Sequence, residues 1–353
     1  MSSVLVISAD GNGGAIASRL AEESDVVRLY FGCNKKVAGS GHGNVTVIHS
    51  LSMLEQFDFV LFDGNGFEGT DYRLREKGIK AVGGGSFGRK VANDAVYGRR
   101  VAESLLEDVD SSEECPPKGI DLSVTGWFDG ESFINCFVFS GRYKRFMDGD
   151  KGVETENMGS VVWAVAKPED SLVKKCLLPL AELLQKVRHV GLMGVNVTVT
   201  EDDIYFNRFE TWPVYEDILA FTEILKGSLF DFLLKLVLKK HDRVDMFNTY
   251  GMAVRLSVPP YPYKIRNYMK CEYDSPVMDK KAKKHVLLND ICNDSSILGY
   301  VSARGVTSRE AGKRIGRTVT GMNLKPEVQY RTDIGHDIEK KIELLKTWGW
   351  LNV

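Results

Sequence analysis

The chain of 353 residues is long enough for two or three domains, and its 43% apolar content is ample for packed cores. A formal net charge of −2 carries no global nucleic-acid signal, and six cysteines without a C-x-x-C pair point to reduced thiols, not a disulfide scaffold or a zinc site. The apolar run Val4–Ile7 is too short for a signal peptide and no segment approaches a membrane span, so a soluble cytoplasmic protein with no membrane partner is expected.

The first hundred residues alternate strands with helices. Strands are expected at Ser3–Ser8, Val26–Phe31, Val45–His49, Phe59–Asp63 and Lys80–Gly83, with helices at Ala15–Glu23 and Thr70–Lys77. Such alternation implies a parallel sheet covered on both faces, with ligands at the carboxyl ends of its strands. The tetrapeptide DGNG follows the first strand at Asp10–Gly13 and the fourth at Asp63–Gly66. Gly11, Asn12, Gly13, Gly14, Gly64 and Asn65 therefore read as a phosphate or ribose pocket, or as turn residues repeated by chance.

Ser86–Glu107 reads as a helix with a basic face, and the acidic, proline-containing Asp108–Gly119 as a linker. Strands recur at Asp121–Trp127, Phe133–Ser140 and Val161–Val165, followed by a long amphipathic helix over Ser171–Arg188. Gly191–Thr200 and Ile204–Phe209 read as an antiparallel pair, and Ile218–Lys226 and Leu229–Lys240 as helices, the second with a buried apolar stripe. Strands near Gly251–Val258 and His285–Leu288 and helices at Ser308–Thr320 and Ile338–Thr347 complete the chain. Basic residues cluster at Arg89–Arg100, Lys280–Lys284 and Arg304–Arg317, as solvated faces or as phosphate-binding surface.

The segment Arg142–Gly159, RYKRFMDGDKGVETENMG, sets four acidic residues and three glycines among basic ones after an apolar strand. Lys144 and Arg145 can neutralise an anion, and flexible glycines let backbone N–H groups converge on a small ligand. A solvated hairpin is the alternative. The segment resembles the substrate loop of glycinamide ribonucleotide synthetase, an ATP-grasp ligase, with matches at Lys144, Arg145, Asp148, Gly149, Asp150, Gly152, Thr155, Met158 and Gly159. Further resemblances follow in order: VLVISADGNGGAIASRLA at the N-terminus, Gly126–Phe133, Val190–Met193 with Tyr205–Pro213, Pro259–Tyr263 and Tyr330–Gly335.

The resemblance implies an α/β fold: a Rossmann-like N-terminal domain over 1–107, a linker over 108–119, an ATP-grasp-like substrate domain over 120–245, and a C-terminal α/β domain over 246–353. Two departures stand out. Twelve residues, Asp108–Gly119, occupy the place of the small lobe that clamps ATP. The metal-binding Glu of the family falls on Tyr205, while Asn207 is kept and Glu210 is left to compensate. ATP is therefore not expected as a cofactor, and Mg²⁺ at Asn207 and Glu210 stays open. The retained pocket would take a small, glycine-like amino acid and a phosphorylated sugar or nucleotide. Arg208, with Lys144 and Arg145, would hold anions, or form a surface salt bridge; Asp148 and Asp150 would orient the amine, or cap a turn. The leading expectation is an ATP-independent amino-acid transferase acting on a phosphate-activated nucleotide, resembling bacteriophage enzymes that hypermodify thymidine in DNA. The alternatives are an ATP-dependent ligase and a catalytically silent scaffold.

Overall fold

The structure, a computed structural model, describes residues 1–8, 13–31, 45–48, 50–51, 56–64, 69–112, 116–165, 168–212, 214–241, 243–263, 284–288, 296–324 and 328–351. Its N-terminal sheet joins β1 (Ser3–Ser8), β2 (Val26–Phe31), β3 (Val45–Ile48), β4 (Phe59–Phe62) and β5 (Ala81–Val82) in the order β3-β2-β1-β4-β5. Every pairing is parallel. Side chains alternate across a strand, so Leu5 and Ile7 pack with Leu74 and Ile79 on one face, while Val4 and Val6 face the body of the protein. The helices α1 (Gly14–Ala21) and α2 (Thr70–Glu76) follow β1 and β4.

The second sheet is antiparallel and takes strands from both sides of residue 245. Its order is β10-β9-β6-β7-β8-β11-β13-β12, built from β6 (Ile120–Phe128), β7 (Phe133–Met147), β8 (Lys151–Val165), β9 (Gly191–Val199), β10 (Ile204–Glu210), β11 (Tyr250–Ser257), β12 (Val286–Leu288) and β13 (Ile297–Gly305). The expected loop at Arg142–Gly159 is a long hairpin. Both strands run on to a tight turn at Asp148–Asp150, where Gly149 and Asp150 take positive φ of 70° and 54°. Two consecutive left-handed residues reverse the chain, and the ladder resumes with Met147 opposite Lys151, its register shifting on either side of Arg145.

Two expected helices are broken. Asp94, extended at φ −99° and ψ 99°, ends α3 (Ser86–Asn93) and caps α4 (Ala95–Leu105) through the Tyr97 N–H at 2.9 Å. The Ser171–Arg188 pattern splits into α5 (Ser171–Cys176), a 3₁₀ turn at Leu178–Leu180 and α6 (Ala181–Lys186), because Pro179 removes a helix donor. The remaining helices are α7 (Tyr215–Ile224), α8 (Leu229–Leu238), α9 (Ser308–Gly321) and α10 (Ile338–Thr347). Their register sets the sheet's two faces. Leu122, Val124, Phe139, Val195 and Val197 share a core with α5, α6, α9 and α10. On the opposite face α7 and α8 cover Trp127, Ile134 and Leu192, leaving the polar ends of β6, β7 and β9 open.

Helix α7 is pinned by three acidic residues. Glu216 accepts from Arg255 Nε at 2.6 Å, Asp217 from Ser140 Oγ at 2.8 Å, and Glu223 from Ser302 Oγ at 2.6 Å. Between them the helix lies directly on β11: a Cβ at Gly251 would stand 2.0 Å from Ala220 O, which forbids any larger residue. From α4 to β6 the chain has only residues 106–119. Asp110 pairs with the outer edge of β10, receiving from Phe206 N at 2.7 Å and donating to Ile204 O at 2.8 Å. This connection occupies an edge that would otherwise be open.

A polar cleft on the antiparallel sheet

The uncovered sheet face holds a cleft of ≈ 450 Å³. Ser123 from β6, Ser140 and Arg142 from β7 and Asn196 from β9 form its floor; Lys144, Arg145, Asp150 and Arg208 stand around its mouth. Alternation places Ser140, Arg142 and Lys144 on one side of β7, and a bulge between Phe206 and Arg208 turns Asn207 toward the same face.

Arg142 is the centre of the floor. Its Nε donates to Asp217 Oδ2 at 2.9 Å, and its Nη atoms bind both oxygens of Glu210, one at 3.0 Å. Further donations reach Asp217 Oδ2 and, at 3.5 Å, Asn196 Oδ1, so all five N–H bonds have acceptors. Burial alone would lower the guanidinium pKa, but Asp217 and Glu210 more than offset it and hold it above its ordinary value. The rim differs. Arg145 donates to Gly152 O at 3.0 Å, whereas Lys144 and Arg208 are exposed and form no ion pair among the described residues.

The hairpin tip is clasped by the segment after α9. Asp148 accepts from Thr332 N at 3.0 Å and from its hydroxyl, and Gly149 N donates to Asp333 Oδ2 at 2.7 Å. Arg331, with 1% side-chain exposure, binds Asp150 Oδ1 at 2.8 Å, Asp333, and Arg145 O at 3.0 Å. Desolvation pushes the Asp333 carboxyl up, but hydrogen bonds from Arg331 and Gly149 hold it below its usual range. Asp148 thus engages the C-terminal segment, while Asp150 also reaches the cleft. Thr155 Oγ1 donates to Lys144 O at 2.7 Å, Met158 is fully buried, and a Cβ at Gly159 would lie 3.0 Å from Ala253 O. These three positions frame the hairpin.

The glycine-rich positions lie at the other sheet. Its strand order reverses between β1 and β4, where ligands of such folds bind. Gly13 N donates there to Ser8 Oγ at 3.1 Å, and a Cβ on Gly13 would stand 2.7 Å from Asp63 Oδ2. Tyr215 Oη donates to the same Asp63 oxygen at 2.7 Å and ties this edge to α7. Gly14 opens α1 and Gly64 has open space around it; Gly11, Asn12 and Asn65 lie outside the described residues.

The donor set does not suit a divalent ion. Asn207 Nδ2 donates to Thr198 Oγ1 at 3.0 Å, and both Glu210 oxygens are held by Arg142. No group of three or more metal-capable side chains occurs among the described residues. The Arg142–Glu210–Asp217 cluster was not foreseen from the sequence.

No protein-family model matches the chain. Phosphoribosylamine–glycine ligase of Helicobacter pylori is 25% identical over 239 residues, 62% of this chain and 55% of that protein. The corresponding ligase of Clostridium acetobutylicum is 25% identical over 284 residues, 75% and 62%. Among solved structures, the Thermotoga maritima phosphoribosylamine–glycine ligase superposes with TM-score 0.64 at 15% identity, covering 94% of this chain and all of its own. In sequence and in fold the chain is similar to phosphoribosylamine–glycine ligases. N5-carboxyaminoimidazole ribonucleotide synthetase of Thermus thermophilus shares the fold, at TM-score 0.56 and 12% identity over 91% of this chain and 99% of that one. The chain spans 55–62% of the length of the curated relatives cited. Among the described residues, no helix is long and apolar enough to cross a membrane.

Proposed function

We propose that this protein forms a C–N bond between a small, glycine-like amino acid and a nucleotide that arrives already carrying phosphate or pyrophosphate, without consuming ATP. The observation that carries this reading is the shortness of the connection from α4 to β6, fourteen residues of which Asp110 pairs with β10, where a nucleotide-clamping lobe would have to emerge. The arrested Glu210 agrees with it: the carboxylate left to bind a metal is neutralised by Arg142.

A ligase uses ATP to create a leaving group, and a substrate that brings its own leaving group removes that need. The amine lone pair attacks the activated carbon, the C–O bond breaks, and pyrophosphate departs with the bonding electrons. The ammonium proton passes to Asp150 or to solvent. Lys144 and Arg208 would stabilise the departing anion, a task for fixed charge and positioning. The acceptor we favour is a pyrophosphorylated hydroxymethyl uracil in bacteriophage DNA. Exposed Arg100, Arg309, Lys313 and Arg317 supply cations for a phosphate backbone. Other members of those clusters have internal partners: Arg304 stacks on Phe247 at 3.8 Å and Arg314 pairs with Glu310 at 2.6 Å.

The test mixes the protein with glycine and the activated pyrimidine in duplex DNA and follows pyrophosphate release, with ATP–Mg²⁺ titrated in parallel by calorimetry. Release without ATP is expected. Saturable ATP–Mg²⁺ binding coupled to hydrolysis would refute the reading and restore the ligase alternative. DNA affinity should fall steeply with salt.

A further inference from the structure

We propose that the surface formed by the segment after α7, the end of β13 and helix α9 grips the phosphate backbone of a nucleic acid without reading its sequence. The inference deepens the functional reading above and rests on it only for the class of polyanion. None of the residues that form this surface lines the cleft.

Two cations here share one aromatic ring. Arg304 Cζ stands 3.8 Å from the centroid of Phe247, and Lys226 Nζ stands 5.3 Å from it. Neither forms an ion pair among the described residues; Arg304 adds one long hydrogen bond, from Nη1 to Glu223 O at 3.4 Å. An aromatic face attracts a cation without cancelling its charge. Both cations therefore stay available to an anion while the ring restrains their side chains, which lowers the cost of ordering them on binding. The carboxylate of Glu223 does not neutralise them, because it is taken. Ser302 Oγ donates to its Oε1 at 2.6 Å, and His285 Nδ1 lies 2.7 Å from the same oxygen.

Helix α9 carries the charge onward. Arg314 Nη1 donates to Arg304 O at 2.9 Å, which sets the helix against this pair. Arg309, Lys313 and Arg317 are exposed and recur every four residues, so they form one row with a rise of about 6 Å per step. That step is close to the separation of successive phosphates on a nucleic-acid strand. Arg317 is steadied there by its Nε, which donates to Lys313 O at 3.3 Å. The carboxylates on the neighbouring elements are engaged. Glu310 pairs with Arg314 at 2.6 Å, Asp245 with Arg243 at 3.1 Å and Glu343 with Lys346 at 3.1 Å, while Glu339 accepts from Ser308 N at 2.9 Å. Cations therefore remain in excess. An anionic lipid surface would call for exposed aromatic or long apolar side chains to insert. Here Phe247 is half-buried against its cations, and the exposed apolar residues of these elements, Val306 and Leu344, include no ring.

The test is fluorescence anisotropy of a labelled DNA duplex titrated with the full chain over a range of salt. Binding at low salt is expected, equal for an A·T-rich and a mixed duplex, because phosphates carry no sequence. Lys226→Ala, Arg304→Gln and Lys313→Ala should each weaken it about threefold or more and lower the log–log salt slope by about one. Phe247→Leu keeps every charge but removes the shared ring, and affinity should fall about threefold with thermal midpoints showing a folded protein. Lys186→Ala on α6 makes the same change of charge outside this surface and should alter neither affinity nor slope. No duplex binding at low salt overturns the inference. Equal losses from the exposed substitutions Lys186→Ala and Lys313→Ala also overturn it, as does binding to phosphatidylglycerol vesicles without binding to the duplex. Pyrophosphate release from an activated mononucleotide, measured separately, still decides the reaction.

Discussion

Replacing Arg142 by methionine tests the cleft floor most directly. The substitution keeps an unbranched side chain of similar reach but leaves Glu210 and Asp217 facing each other with no cation between them. Their side chains are 10% and 7% exposed, so water cannot take the place of the guanidinium. Breaking a buried pair from one side costs about 3–5 kcal/mol. With a urea slope of about 3 kcal/mol per molar, the midpoint falls by about 1–1.7 M. Because the Arg142 pKa is raised above its ordinary value, it stays charged throughout the working range, and the wild-type floor does not depend on its titration. The triple variant Arg142→Met, Glu210→Gln, Asp217→Asn should recover much of the loss. A single variant within about 1 kcal/mol of wild type would refute the argument.

Other predictions concern the rim, the clasp and the core. Lys144→Ala and Arg208→Ala should each weaken pyrophosphate binding about three- to tenfold with unchanged thermal midpoints, by calorimetry, since neither side chain is buried. Desolvation raises the carboxyls of Asp333 and Asp337, but hydrogen bonds (Arg331 to the first, Lys341 and Tyr143 to the second) hold both below their usual range. Their stabilisation is present above about pH 4 and lost as pH falls further. Amide exchange at Asp148–Asp150, corrected for intrinsic rate, should accelerate from pH 6 to pH 3; a flat profile contradicts the clasp. Gly13→Ala brings a methyl within 2.7 Å of Asp63 Oδ2 and 2.8 Å of Ser8 Cβ, and should cost about 1–3 kcal/mol in a denaturant melt. Burial raises the Cys136 thiol pKa and pushes that of Cys176 up to about 12, so neither should react with iodoacetamide at pH 8 until the protein is unfolded.

The parallel sheet was legible because its strands are buried on both sides and read as continuous apolar runs; Val4–Ile7 and Phe59–Phe62 have no exposed residue. The hairpin was harder. Glycines and charges at Arg142–Gly159 suggest a loop, yet the turn is confined to Asp148–Asp150, and the other charges stand on strands that project beyond the core. Strand β13 went unread because Gly299 interrupts its apolar pattern. That glycine is imposed by packing, since its Cβ would fall 2.1 Å from Leu287 O. The floor cluster left the faintest signal. Glu216 and Asp217 open a helix, where acidic residues ordinarily face water and favour the dipole. Here both are buried, because arginines on two separate strands, Arg255 and Arg142, approach that helix end from the sheet. Pairings 39 and 75 residues apart leave no local pattern.

The same pairing decides what the cleft floor can offer a ligand. Lys144 and Arg145 are exposed toward the end of their strand, but two residues before Lys144 the buried Arg142 has every donor engaged by Glu210, Asp217 and Asn196. A phosphate entering from the rim would meet a guanidinium with no donor left for it, in a partly desolvated cleft where interactions between charges are strong.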